Sequence, residues 1–242
     1  MIRSERDGPL ALLTLDRGGA RNAISIAAWD ALAAAAAGIG AGDAAAAILR
    51  SAMPGSFSAG ADLTEFRDLI DDPALRTRFR VAMARGIGAV AALPMPVIAA
   101  VDGGCFGAAV ALTLACDIVV AGDGAVFATT PAKLGIGYPA VDVARLKARI
   151  GAGQAAAMLF TGERIDADAA LRIGLAHRRA PHAEPVAREI ARAIAANDPG
   201  AVRLLKSVLR DSGASSHDQA FEDAFGSAAF AERLAAFLKG KR

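Results

Sequence analysis

The chain limits its own fold most through repeated handovers from a short apolar run into a helical one. Pro96 to Val101 reads as a buried strand, Gly107 to Cys116 as a buried helix, and Asp117 to Ala121 as the next strand. A strand that feeds a helix and then another strand needs a crossover connection, and crossovers build parallel sheets. The alternation starts earlier, with a strand at Pro9 to Asp16, a helix at Ser25 to Ile39 opened by a serine cap, and a strand at Ala44 to Arg50. Asp62 is expected to begin a further helix, with Glu65 as its reciprocal capping partner, and Pro73 to Ala92 carries another. Beyond about Val141 the pattern turns almost wholly helical. The expectation is an α/β core over residues 1–180 and a helical C-terminal region over 181–242.

At 242 residues the chain fits one substantial domain. It is 54% hydrophobic but only 5% aromatic, so the core must be built mainly from Ala, Val, Leu and Ile. The longest apolar stretches are alanine-rich and broken within a few residues, well short of the ~20 residues of a membrane span. Residues Met1 to Asp7 have no apolar core, which argues against a secretory signal. The formal charge of +2 is spread along the chain, with no basic stripe of the kind nucleic acid requires. Cys105 and Cys116 have no Cys or His at ligand spacing around them, so neither a disulfide framework nor a metal site is expected. A reduced, cytoplasmic setting is the simplest expectation.

Two glycine-bearing segments carry chemical information. In Phe57-Ser58-Ala59-Gly60-Ala61-Asp62-Leu63, small residues let the backbone turn sharply and approach a ligand. Val101-Asp102-Gly103-Gly104-Cys105-Phe106-Gly107-Ala108-Ala109 likewise delivers a strand into a helix. The N–H groups of Ala61 and Ala108 fall at helix entrances, where amide donors lack intrahelical partners. Two such donors converging on one point would form an oxyanion hole. Either segment alone is equally well an ordinary tight turn.

Together they resemble the enoyl-CoA hydratase/isomerase (crotonase) family. The similarity continues through Arg21-Asn22-Ala23-Ile24-Ser25, Pro96 to Val101, Ala115-Cys116-Asp117, Phe160 to Ile165, Gly174-Leu175 and Phe237-Leu238-Lys239. It covers nearly the whole chain. The resemblance implies a crotonase-like spiral of ββα units with a helical C-terminal region, assembled as a homotrimer or hexamer. It implies that Ala61 and Ala108 supply the oxyanion amides for an acyl-CoA thioester. Coenzyme A then belongs to the substrate, and no separate cofactor is expected. Ala59, Ala61, Asp62 and Leu63 would lie along the coenzyme, Arg21 would reach one of its phosphates, and Phe237 and Lys239 would meet the ligand of a neighbouring subunit. For Arg21, Phe237 and Lys239 a solvated surface position fits equally well.

The resemblance fails where hydration chemistry should sit. Family hydratases use two glutamates; the corresponding positions here are Ala111 and Pro131. Neither side chain can transfer a proton, and general acid–base help is worth roughly 10²–10⁴-fold. The aspartate of dienoyl isomerases would fall at Pro139. The run Thr129 to Tyr138 is similar instead to the methylmalonyl-CoA decarboxylase branch, in which a tyrosine at this position helps orient a carboxylate. That branch carries His where Ala61 stands, which counts against the match. Tyr138, the sole tyrosine, and Asp142, which replaces a usual glycine, are the remaining catalytic candidates, against simple roles in packing and helix initiation. Three readings stay open: an acyl-CoA enzyme that is not an efficient standard hydratase, a malonyl-type decarboxylase, and a non-catalytic acyl-CoA binder. His177, His182 and His217 are expected at the surface.

Overall fold

The computed structural model describes residues 2–240. The chain opens with β1 (Ile2–Asp7), β2 (Leu10–Leu15), α1 (Ile26–Gly40), β3 (Ala46–Ser51), β4 (Ser56–Ser58), α2 (Phe66–Leu69) and α3 (Pro73–Ala91). It continues through β5 (Val97–Val101), β6 (Gly104–Phe106), α4 (Ala108–Leu114), β7 (Ile118–Gly122) and β8 (Val126–Ala128). After α5 (Ala140–Thr161), β9 (Ile165–Asp166), α6 (Ala167–Arg172) and β10 (Arg178–Ala180), four helices follow: α7 (Ala183–Ala195), α8 (Pro199–Arg210), α9 (Ser216–Ala224) and α10 (Ala228–Lys239).

The strands form a six-stranded sheet, β1-β2-β3-β5-β7-β10, and a four-stranded one, β4-β6-β8-β9. All pairings among β2, β3, β5, β7 and β10 are parallel. Side chains alternate between the two faces of a strand, and both faces of this sheet are covered. Ala11, Leu13, Leu15, Leu49, Val97, Ala99 and Val101 pack toward α1, α3 and α4. Leu10, Leu12, Ala46, Ile48, Ile98 and Val120 pack toward α7. Burial on both faces explains why these strands read as continuous apolar runs. Helix α7 meets the sheet through Ala183, Ala187 and Ala191, one narrow stripe at four-residue spacing whose small side chains let the helix lie close.

Strand β1 gives no apolar signal, because five of its six residues are exposed on an antiparallel edge. The Ser25 cap of α1 forms as expected, accepting from the Ala28 amide. The proposed cap at Asp62 does not. The helix after it is the single turn Phe66–Leu69, and Glu65 Oε2 instead accepts from the Ile26 amide at 2.9 Å, capping α1 from outside. A carboxylate at a helix N-terminus is stabilised wherever in the sequence it comes from. Among the described residues no helix is long and apolar enough to cross a membrane.

Candidate active site

Strands β4 and β6 pair in parallel, Ser56 with Gly104 and Ser58 with Cys105. Parallel strands deliver their C-terminal ends to the same edge, which is where ligands settle in sheets of this kind. The loops carrying Ala61 and Ala108 therefore emerge side by side. Gly60 sets how closely: its φ is +91°, and a Cβ there would stand 2.4 Å from the Phe106 carbonyl oxygen and 3.2 Å from the Ala108 nitrogen. Any other residue would push the two loops apart.

The first loop is held by residues 21–25 lying alongside it. Ala59 donates to the Arg21 carbonyl at 2.9 Å, Ile24 to Gly60 at 2.8 Å, and Asp62 to Ile24 at 3.1 Å. In such a parallel bridge the residue opposite Ile24, which is Ala61, directs its own N–H and C=O to the other side. Buried Asn22 locks this arrangement: its Nδ2 donates to Ser51 Oγ and the Phe57 carbonyl, and the Ser58 hydroxyl donates back to the Asn22 carbonyl. Ala108 is the first residue of α4, so its amide has no intrahelical acceptor. Among the described residues neither the Ala61 nor the Ala108 N–H has a hydrogen-bond partner within the chain.

Both alanines line one cavity of about 340 Å³, together with Ala59, Leu63, Tyr138 and Pro131. Phe66, Phe79, Met83, Leu134 and Ile136 make the rest of the wall largely apolar. A second space of about 620 Å³ adjoins it, sharing Leu63, Phe66, Phe79, Leu134 and Ile136. Two unpartnered amide donors in an apolar wall can receive one oxygen atom and stabilise negative charge on it.

The other candidates are distributed as follows. The half-buried Tyr138 donates its hydroxyl to the Gly107 carbonyl oxygen at 2.9 Å. Burial pushes the phenol's pKa well above its ordinary value, and the nearby Asp142 carboxylate and Cys105 push it the same way, so the hydroxyl stays protonated. Asp142 lies buried in the first turn of α5, off the cavity wall, with Arg145 donating to it at 2.8 Å. Burial raises its pKa against the pull of that guanidinium. The Asp62 carboxylate also lies off the wall, gripped by Arg17 at 2.5 Å and by the Thr64 hydroxyl at 2.7 Å. Burial opposes ionisation, but these hydrogen bonds outweigh it and lower the pKa. Arg21 is exposed, and its carbonyl rather than its side chain ties into the loop. Phe237 and Lys239 are exposed on α10. Ala111 is in the core and Pro131 on the wall.

Cys105 and Cys116 are free and fully enclosed. Burial raises both thiols, Cys116 to about 12, which leaves them unreactive. His177 departs from its expected surface position: it is partly buried, with Nδ1 accepting from the Val119 amide at 2.9 Å. No cluster of three or more His, Cys, Asp or Glu side chains suited to a metal ion occurs among the described residues. Sequence reasoning passed over Arg80, among the described residues the one charged residue lining the 340 Å³ cavity.

The family model described as Enoyl-CoA hydratase/isomerase matches residues 5–230. The chain belongs to the enoyl-CoA hydratase/isomerase family. Its members include a short-chain-enoyl-CoA hydratase of Clostridium acetobutylicum, 30% identical across 98% of this chain and 94% of that one. An enoyl-CoA hydratase structure from Bacillus anthracis superposes with a TM-score of 0.92 at 31% identity, covering 100% of this chain and 96% of the other. An enoyl-CoA hydratase/carnithine racemase structure from Magnetospirillum magneticum gives 0.93 at 29% identity, covering 100% and 93%. The crotonase fold and an enzyme of this family are thereby established.

Proposed function

We propose that this protein binds an acyl-CoA thioester with its carbonyl oxygen between the Ala61 and Ala108 amides, stabilises the enolate formed there, and is not an efficient standard hydratase. The observation that carries this reading is the pair of unpartnered amides on one apolar wall. As the thioester becomes an enolate, negative charge collects on that oxygen, and each amide donor is worth about 3–4 kcal/mol in comparable sites. Ala59 and Leu63, both on the cavity wall, are assigned to the coenzyme. The Asp62 carboxylate, already taken by Arg17 and Thr64, serves by fixing the loop. The exposed Arg21 is assigned to one of the coenzyme's phosphates. Phe237 and Lys239 are assigned to the ligand of a neighbouring copy in a homotrimer or hexamer. The exposed apolar side chains Phe221 of α9, Phe225 just after it, and Leu234 and Phe237 of α10 support such an assembly.

Hydration lacks its proton-transfer groups, since neither Ala111 nor Pro131 can act as acid or base. Decarboxylation is favoured as the second reading, because Tyr138 stands on the cavity wall. In that reaction the bond from the α carbon to the carboxylate breaks, carbon dioxide leaves, and the electron pair passes into the thioester enolate, which then takes a proton from water. No base is needed to start it.

The test is turnover of crotonyl-CoA, 3-hexenoyl-CoA and methylmalonyl-CoA, followed by mass spectrometry of the products. Crotonyl-CoA should be hydrated at least about 10²-fold more slowly than by a relative that has both glutamates. Efficient hydration would overturn the reading of Ala111 and Pro131. Tight binding of all three without product would replace the enzyme by a non-catalytic binder.

A further inference from the structure

One face of α3 lines the cavity and its extension. Arg76, Phe79, Arg80 and Met83, spaced three and four apart, lie along it. The opposite face carries Arg78 and Arg85, both bonded to Asp30 on α1. Arg76 is committed as well, donating to the Leu69 carbonyl at 2.7 Å and to that of Ile70. Arg80 differs: among the described residues its guanidinium has no ion pair or hydrogen bond, and it borders the same space as the two amides and Tyr138.

The charge inventory of the two joined spaces is one-sided. Among the described residues their ionisable walls are Arg67, Arg76, Arg80 and the protonated Tyr138, with no carboxylate. Replacing the two family glutamates by Ala111 and Pro131 therefore does more than delete proton carriers. It removes negative charge that would repel an anionic acyl group, and leaves the exposed Arg80 as the charged residue of the cavity lining. Specificity arises as much from removing repulsion as from adding attraction.

We propose that the acyl group taken by this cavity carries a carboxylate, and that Arg80 receives it. The inference rests on the acyl-CoA reading above and names the substrate class within it. A guanidinium at the rim matches a carboxylate in a two-pronged fashion, while the apolar wall accommodates the chain between the thioester and that end. Arg80 is a specificity residue here, acting on the acyl group rather than on the bond that changes.

The experiment is calorimetric binding of matched probes, succinyl-CoA against butyryl-CoA and glutaryl-CoA against valeryl-CoA, with coenzyme A alone as reference. The full chain and its Arg80→Gln and Arg80→Lys variants are compared. The expected result is that at least one carboxylated probe binds about five-fold or more tightly than its uncharged match. That ratio should fall toward one in Arg80→Gln, recover partly in Arg80→Lys, and shrink at high salt. Equal affinity within both pairs, or a preference that survives Arg80→Gln, would overturn the proposal while leaving acyl-CoA binding intact. An equal loss for charged and uncharged probes in Arg80→Gln would place the guanidinium on the coenzyme's phosphates and also overturn it. Failure of every acyl-CoA to bind better than coenzyme A alone would remove the acyl-CoA reading itself, and this proposal with it.

Discussion

The Tyr138 hydroxyl donates to the carbonyl oxygen of Gly107 at 2.9 Å, and that carbonyl belongs to the same peptide group as the Ala108 N–H. A donor on the oxygen of a peptide polarises it and strengthens its N–H as a donor in turn. Under the proposed reading Tyr138 acts on the bound carbonyl through the main chain, a positioning role compatible with a phenol whose pKa burial raises. Acetoacetyl-CoA offers a direct readout, because its enolate absorbs in the ultraviolet and an oxyanion hole lowers the pKa at which it forms. Tyr138→Phe should raise the bound pKa by about half a unit, as expected for a strengthening of 10–30% in one donor, with little change in thermal stability. An unchanged bound pKa would reduce Tyr138 to a packing residue.

Ala108→Pro deletes one of the two proposed oxyanion donors at the first helical position, where proline is best tolerated. The same acetoacetyl-CoA titration should then lose about 3 kcal/mol of enolate stabilisation, a rise of about two pK units. Circular dichroism should report an intact fold. A folded Ala108→Pro protein that stabilises the enolate as well as its parent would remove Ala108 from the site.

Helix α8 is fastened to the sheet by Lys206, which is 4% exposed. Its Nζ donates to the Met95 carbonyl at 2.7 Å and to Asp117 Oδ2 at 2.6 Å, while the Val97 amide donates to the same carboxylate oxygen at 2.7 Å. Removing one partner of such a pair leaves the other poorly compensated. Lys206→Met should cost about 2–3 kcal/mol in urea denaturation, below the full penalty for a buried pair because Asp117 keeps the Val97 donor and some solvent. A loss under about 0.5 kcal/mol would place the bridge among pairs that contribute nothing measurable.

His177 makes stability depend on pH. Burial, with help from the Arg149 and Arg178 charges, lowers its pKa below 6.5, and its Nδ1 must stay unprotonated to accept from Val119. The unfolded chain therefore takes up a proton that the folded one refuses. Stability holds above about pH 6.5 and falls as the pH drops from there through the folded pKa, by up to ~1.4 kcal/mol per pH unit. His177→Asn, whose side-chain oxygen can replace Nδ1 as acceptor, should flatten that slope in denaturation curves at pH 5–7. An unaltered slope would assign the effect to other groups.

The parts of this site visible in the sequence were those written in local chemistry. Gly60 and Gly107 adopt backbone conformations that few other residues adopt, φ +91° and +52°, so the two loops stood out as tight turns, and the family resemblance paired them. The parallel core was legible for a similar reason, since strands buried on both faces keep an apolar signature. What escaped depended on tertiary partners. The Asp62–Glu65 spacing fits a local cap, yet Glu65 is captured by α1, thirty-nine residues back at Ile26. Arg80 looks no different from Arg78 or Arg85 along the chain; only the docking of α1, with Asp30, takes those two and leaves Arg80 to the cavity. His177 could not be distinguished from a surface histidine without Val119 and Arg149 beside it.

A crystal structure with a slowly reacting acyl-CoA bound measures the central relationship itself. The thioester oxygen should lie about 3 Å from both the Ala61 and the Ala108 nitrogens. An oxygen resting elsewhere, or held by only one of the two amides, would contradict the account.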